Sequence, residues 1–270
     1  MSGPVRLGAV SYLNVRPLVH GLDRHADLVT LRFDLPSVCA QLLARGEIDL
    51  GMVPSIAYLD RPDDLVVPGV CIGSEGPVNS VALFSRVPLS RVRRIALDTS
   101  SRTSAILTQV LCAQRFGISP EFVPHAPNLP EMLGVADAAL LIGDPALFAR
   151  PPEGVDKTDL GAAWTDMTGL PFVWAFWAGP GGPVGADVVR LLQTTADEGM
   201  RHADEIADAY CAPRAEDQQL ARRYLRRDLR FRLDDRAVAG VHRFYQEAAA
   251  LGLAPAGRSV SFFPEPASLQ

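Results

Sequence analysis

The sequence predicts an α/β protein built as two lobes, and three observations predict it. Short apolar segments alternate with runs whose hydrophobic residues recur every three or four positions, the pattern of parallel strands joined by crossover helices. The chain has 270 residues with 48% hydrophobic content, enough to bury a large core. Residues 85–94 turn charged and loop-like, which marks a crossing between lobes.

In chain order, Val5–Val10 reads as an apolar strand followed by Ser11-Tyr12-Leu13-Asn14-Val15-Arg16-Pro17 and a short helix. Asn14 suits an N-cap there, and Pro17 is tolerated in a first turn, where its missing N–H is not needed. Residues 29–33 form a second strand, Pro36 opens a helix with Leu42 and Leu43 inward, and residues 48–53 form a third strand running into Pro54-Ser55. Ser11, Asn14 and Ser55 therefore share the C-terminal edge of parallel strands, where open α/β sheets bind ligands. Residues 65–72 supply another strand. Gly76-Pro77-Val78-Asn79-Ser80 then leads into the apolar residues 81–84. Asn79 and Ser80 fit such an entry either by facing a polar cavity or by capping a turn.

Residues 94–97 form a strand and residues 106–116 an amphipathic helix ended by Gly117. The turn between them, Asp98-Thr99-Ser100-Ser101-Arg102-Thr103-Ser104, holds more hydroxyls than one cap requires. With the helix amides and dipole it forms a place for an anion. Residues 136–142 read as a core strand ending in Gly143-Asp144, where Asp144 serves as a cap or a ligand contact. Trp164, Trp174 and Trp177 cluster as core or as a flat wall for an organic ligand. Helices follow, with Val188, Leu191 and Leu192 on one face, an arginine-rich stretch over residues 219–230, and Asp234 capping the last long helix. These read as scaffold. The first lobe is expected to hold residues 1–86 with the bracing helices of 178–270, the second residues 87–177, with hinge closure between them.

Several functions are excluded by composition. A net charge of -5 gives no basic footprint for nucleic acid, and no apolar stretch is long enough to span a membrane. The start lacks a secretory core, and Cys39, Cys71, Cys112 and Cys211 are widely spaced, so a cytoplasmic, reducing compartment is expected. GxSxG, HExxH, GxGxxG and Walker A patterns are missing, and the five histidines lack ligand spacing, so neither metal nor cofactor is expected. What recurs is a set of neutral donors beside strand ends, suited to a small organic acid.

The motifs Ser11-Tyr12-Leu13-Asn14 with Pro17, Val53-Pro54-Ser55, Gly76 through Val81, Asp98 through Ser104, and Ile142-Gly143-Asp144 together resemble the chorismate dehydratase (MqnA) family of the futalosine menaquinone pathway. That resemblance runs through both lobes. It implies a two-lobed fold like type II periplasmic binding proteins, with mixed, mainly parallel sheets and a central cleft. It also implies a lyase that dehydrates chorismate, a dicarboxylate, to 3-[(1-carboxyvinyl)oxy]benzoate. On it, Asn14 and Ser80 become the catalytic or orienting pair. Ser11, Ser55, Asn79, Ser100, Ser101, Arg102, Thr103 and Asp144 become substrate-binding candidates. Val15 stands where many relatives carry threonine. A 1,4-dihydroxy-6-naphthoate synthase-like enzyme, or a non-catalytic cytoplasmic sensor of organic anions, is the competing expectation.

Overall fold

The computed structural model describes residues 3–265, so the first two and last five positions expected in the first lobe lie outside the described residues. The chain runs β1 (Val5–Val10), β2 (Val29–Asp34), α1 (Pro36–Ala44), β3 (Leu50–Pro54), β4 (Asp64–Val66) and β5 (Ile72–Ser74). Then come β6 (Val81–Ser85), β7 (Arg94–Asp98), α2 (Arg102–Leu111), β8 (Glu121–His125), α3 (Leu129–Val135), β9 (Ala138–Ile142), α4 (Gly143–Leu147), β10 (Asp156–Asp159) and α5 (Leu160–Thr168). The chain closes with β11 (Phe172–Pro180), α6 (Ala186–Arg201), α7 (Ala203–Tyr210), α8 (Gln218–Arg223) and α9 (Asp235–Ala250). No helix among the described residues is long and apolar enough to cross a membrane.

Two sheets organise these elements. The first has the order β2-β1-β3-β11-β4, with β5 also on β11; the second has the order β10-β6-β9-β7-β8. β3, β6 and β9 are buried along their whole length, because layers cover both faces. Their unbroken apolar runs follow from that.

The expected lobe boundaries shift at two strands. β6 belongs to the second sheet and β11 to the first, so the crossings lie before Val81 and before Phe172 rather than at 86/87 and 177/178. The charged stretch after β6 is a loop between two strands of one sheet, which explains its polarity without a change of lobe. The sheets are also mixed rather than mainly parallel: β1 pairs parallel with β2 and β3, and β7 with β8 and β9, whereas β6 and β11 run against all their neighbours. Val81 opens β6 opposite Ile142, the last residue of β9, and Ala175 of β11 lies opposite Pro54, the last of β3. A strand entering from the cleft starts where the parallel strands end. It must therefore run the other way.

Other elements differ locally. The strand expected over residues 65–72 is split into β4 and β5 by Pro68 and Gly69, the latter in the left-handed region at φ 77°. The tail returns to the first sheet, where Gly73 and Arg230 exchange backbone hydrogen bonds of 2.8 Å.

Candidate active site

The ends of β1, β3 and β9, the middle of β11, the first residues of β5 and β6 and the N-terminus of α2 meet around one cavity. Its empty space, including the part open to solvent, is about 580 Å³. Val10, Met52, Ile72, Val81, Ile142 and Leu229 make it apolar, and Trp174 adds a flat wall. Tyr12, Asn14, Ser80, Ser101 and Ser104 supply the polar side chains. Among the described residues, none of the lining side chains is a carboxylate, histidine, lysine or arginine.

Asn14 lies inside a 3₁₀ turn, Leu13–Val19, whose N-cap is Tyr12 and has no side-chain cap. It therefore does not cap, contrary to expectation, and its Oδ1 is buried without a hydrogen-bond partner among the described residues. A lone buried acceptor is costly unless something supplies a donor.

Ser80 is held by a loop with little freedom. Asp159 accepts hydrogen bonds from the amides of Val78 at 3.1 Å, Asn79 at 2.6 Å and Ala162 at 3.0 Å. Lys157 donates to the Asn79 carbonyl at 2.8 Å, and Asn79 Nδ2 donates to Asp228 at 2.8 Å. Asn79 takes the left-handed backbone at φ 61°, which asparagine tolerates better than most residues. These contacts turn the Asn79 side chain onto Asp228, outside the cavity lining, and place Ser80 beside the cavity. Tyr224 donates to Ser80 Oγ at 2.7 Å from behind.

Ser101 is the N-cap of α2, accepting from the Ser104 amide at 3.2 Å, and both serines line the cavity. The first amides of α2, which lack intrahelical partners, give this wall its positive polarity.

The remaining candidates do not line the cavity, and all but Ser11 have their side chains bound within the protein. Ser55 Oγ donates to the Val173 carbonyl at 2.8 Å, and Thr103 Oγ1 accepts from the Ile56 amide at 3.3 Å. Ser100 binds Asp98 through its amide at 2.8 Å and its hydroxyl at 2.6 Å. Arg102 pairs with exposed Asp60, and the Ser11 carbonyl accepts from Tyr210 at 3.2 Å. Asp144 accepts from the Leu13 amide at 3.1 Å and from Tyr210. It does not cap its helix, whose N-cap is Ile142 with no side-chain cap, and burial raises its carboxyl above the ordinary value. The buried groups among them share a cause: a polar side chain buried at a strand or helix end is drawn to whichever backbone or side-chain group nearby also needs a partner.

Tyr12, Ser104 and Tyr224 are site residues that the sequence did not single out. Gly143 adopts φ 63°, and a Cβ there would meet the Tyr12 ring at 2.7 Å, so the glycine lets that ring close the wall. Tyr224 falls in the arginine-rich stretch read as scaffold; an aromatic residue within a charged helical face was the available signal. Of the tryptophans, Trp174 lines the cavity while Trp164 and Trp177 are wholly buried.

A family model described as menaquinone biosynthesis matches residues 5–250. A chorismate dehydratase of Thermus thermophilus is 32% identical, covering 97% of this chain and 99% of that protein. Among solved structures, the alkanesulfonate-binding protein SsuA of Xanthomonas axonopodis pv. citri, bound to MOPS, superposes with a TM-score of 0.70 at 17% identity over 95% of this chain and 96% of that one. A Candida albicans gene product with the generic periplasmic-binding-protein fold gives 0.68 at 13% identity, over 98% and 99%. The fold is thus that of periplasmic binding proteins.

Proposed function

The chain belongs to the menaquinone-biosynthesis family, and from that premise we propose that it is a chorismate dehydratase, a carbon–oxygen lyase whose product is 3-[(1-carboxyvinyl)oxy]benzoate. Full-length relatedness to an enzyme of that name carries the reading. A mainly apolar cavity with neutral donors and one helix N-terminus supports it, because a hydrocarbon ring bearing two carboxylates needs both.

Dehydration removes a ring hydroxyl and a neighbouring proton. The electron pair of the broken C–H bond becomes part of the aromatic ring, the oxygen leaves with the C–O pair, and the proton completes the water. No lining side chain among the described residues is a ready base, so a carboxylate of the substrate is assigned as the proton acceptor. Asn14 orients the ring or that carboxylate, and Ser80 hydrogen-bonds the departing oxygen. The Ser104 hydroxyl, which receives the Ser101 proton at 3.0 Å and so directs its own away, and the first amides of α2 hold the other carboxylate. The naphthoate-synthase reading expects acid–base side chains, which this lining does not offer.

Purified protein incubated with chorismate is expected to form the aromatic enolpyruvyl ether, followed by ultraviolet absorbance and product mass. Asn14→Ala is expected to lower kcat by about a hundredfold or more, in the range of losing a transition-state contact, while melting close to the parent. Binding of chorismate with an unchanged spectrum would instead favour a sensor.

A further inference from the structure

Ser80 lines the cavity and is held from behind by a residue far away in the sequence. We propose that Tyr224 is a positioning residue for the dehydration assigned above, its hydroxyl donating to Ser80 so that Ser80 offers its own proton to the cavity. The proposal rests on that reading of the function.

Tyr224 opens a single π-turn, Tyr224–Asp228, directly after α8, and is 1% exposed. Its phenol carries one proton, and that proton is given to Ser80 Oγ at 2.7 Å. With its oxygen receiving this bond, the Ser80 hydroxyl directs its own proton to the other side, and Ser80 lines the cavity.

The two hydroxyls form a chain of one polarity: Tyr224 proton to Ser80 oxygen, Ser80 proton to the cavity. Each bond polarises the next, so the terminal hydroxyl is a stronger donor than an isolated serine. The departing hydroxyl of the substrate accepts from Ser80 at the cavity end of this chain. As its C–O bond breaks, charge grows on that oxygen, so the donor gains most in the transition state. Tyr224 itself touches no reacting atom.

The test is a double-mutant cycle with chorismate, using Tyr224→Phe, Ser80→Ala and their combination. Tyr224→Phe is expected to lower kcat about tenfold with KM changed less than about threefold, the signature of a lost transition-state interaction. In the Ser80→Ala background the Phe substitution is expected to cost no further activity, because its effect passes through Ser80. A Tyr224→Phe enzyme within about twofold of the parent in kcat, or losses that multiply in the combined variant, overturns the proposal. Thermal melting checks the fold of each variant. If Tyr224→Phe does not fold, 3-fluorotyrosine at position 224, a better donor of the same shape, replaces it: kcat is expected to rise about twofold, and an unchanged kcat overturns the proposal. A parent enzyme with no turnover of chorismate overturns the assigned reaction, and this proposal with it. A defect confined to Tyr224→Phe separates the two.

Discussion

Asp98 is 1% exposed at the end of β7, where it accepts from the Ser100 amide and hydroxyl and from the Ile142 amide at 3.3 Å. Burial raises its carboxyl above the ordinary carboxylate value, and the donors only partly oppose that rise. The folded protein thus holds the proton more tightly than the unfolded chain. The resulting stability is fully present below about pH 4 and is lost as pH rises through the raised value. Asp98→Asn is expected to cost roughly 1–3 kcal/mol by disturbing these bonds. The parent's lead in denaturant midpoint over this variant is expected to be largest near pH 4 and to shrink towards neutrality; a lead that grows with pH would contradict the raised value. Ser100 shows the same competition from the other side. Its sequence position promised a ligand contact, but a buried carboxylate two residues away has its hydroxyl.

At the level of elements, the segments that periodicity revealed are those whose faces are buried: β1, β3, β6, β9, α2 and α6. β10 escaped because Asp156–Asp159 is a charged edge strand, paired only with β6 and carrying no apolar alternation. The turn Leu13–Val19 was read as an α-helical start because asparagine is a good cap; its 3₁₀ geometry instead frees Asn14. The junction of β9 and α4 depends on Gly143, whose left-handed backbone admits the Tyr12 ring. Gly143→Ala is expected to cost roughly 1–3 kcal/mol through that backbone strain, to lower Tm and to displace Tyr12 from the cavity wall, reducing activity as well. Normal activity with a lowered Tm would show that Tyr12 only packs.

Across the whole molecule, the two sheets are joined by bonds of the protein's own making. Asp144 reaches from α4 to the Leu13 amide and Tyr210, Thr103 reaches from α2 to the Ile56 amide, and Arg102 reaches Asp60. These residues, candidates for substrate binding, bond across the two sheets. Such contacts oppose any opening between the sheets, and loosening one is expected to favour a more open form. Tyr210→Phe removes about 1 kcal/mol of closure and is expected to raise KM about fivefold. Small-angle scattering is expected to give a larger radius of gyration for this variant; identical scattering and KM would show that Tyr210 does not hold the lobes.

The sequence alone determined the α/β class, most strands, and the hydroxyl-rich turns at their ends, because local periodicity and turn chemistry are written in neighbouring residues. It also carried the motifs holding Asn14 and Ser80. Only the tertiary structure decided which hydroxyls face the cavity and which are bound within the protein. That choice is made by partners such as Tyr224, 144 residues from Ser80, and Asp144, 131 residues from Leu13. A buried polar group goes to whichever partner folding brings within reach, and sequence spacing does not encode that distance.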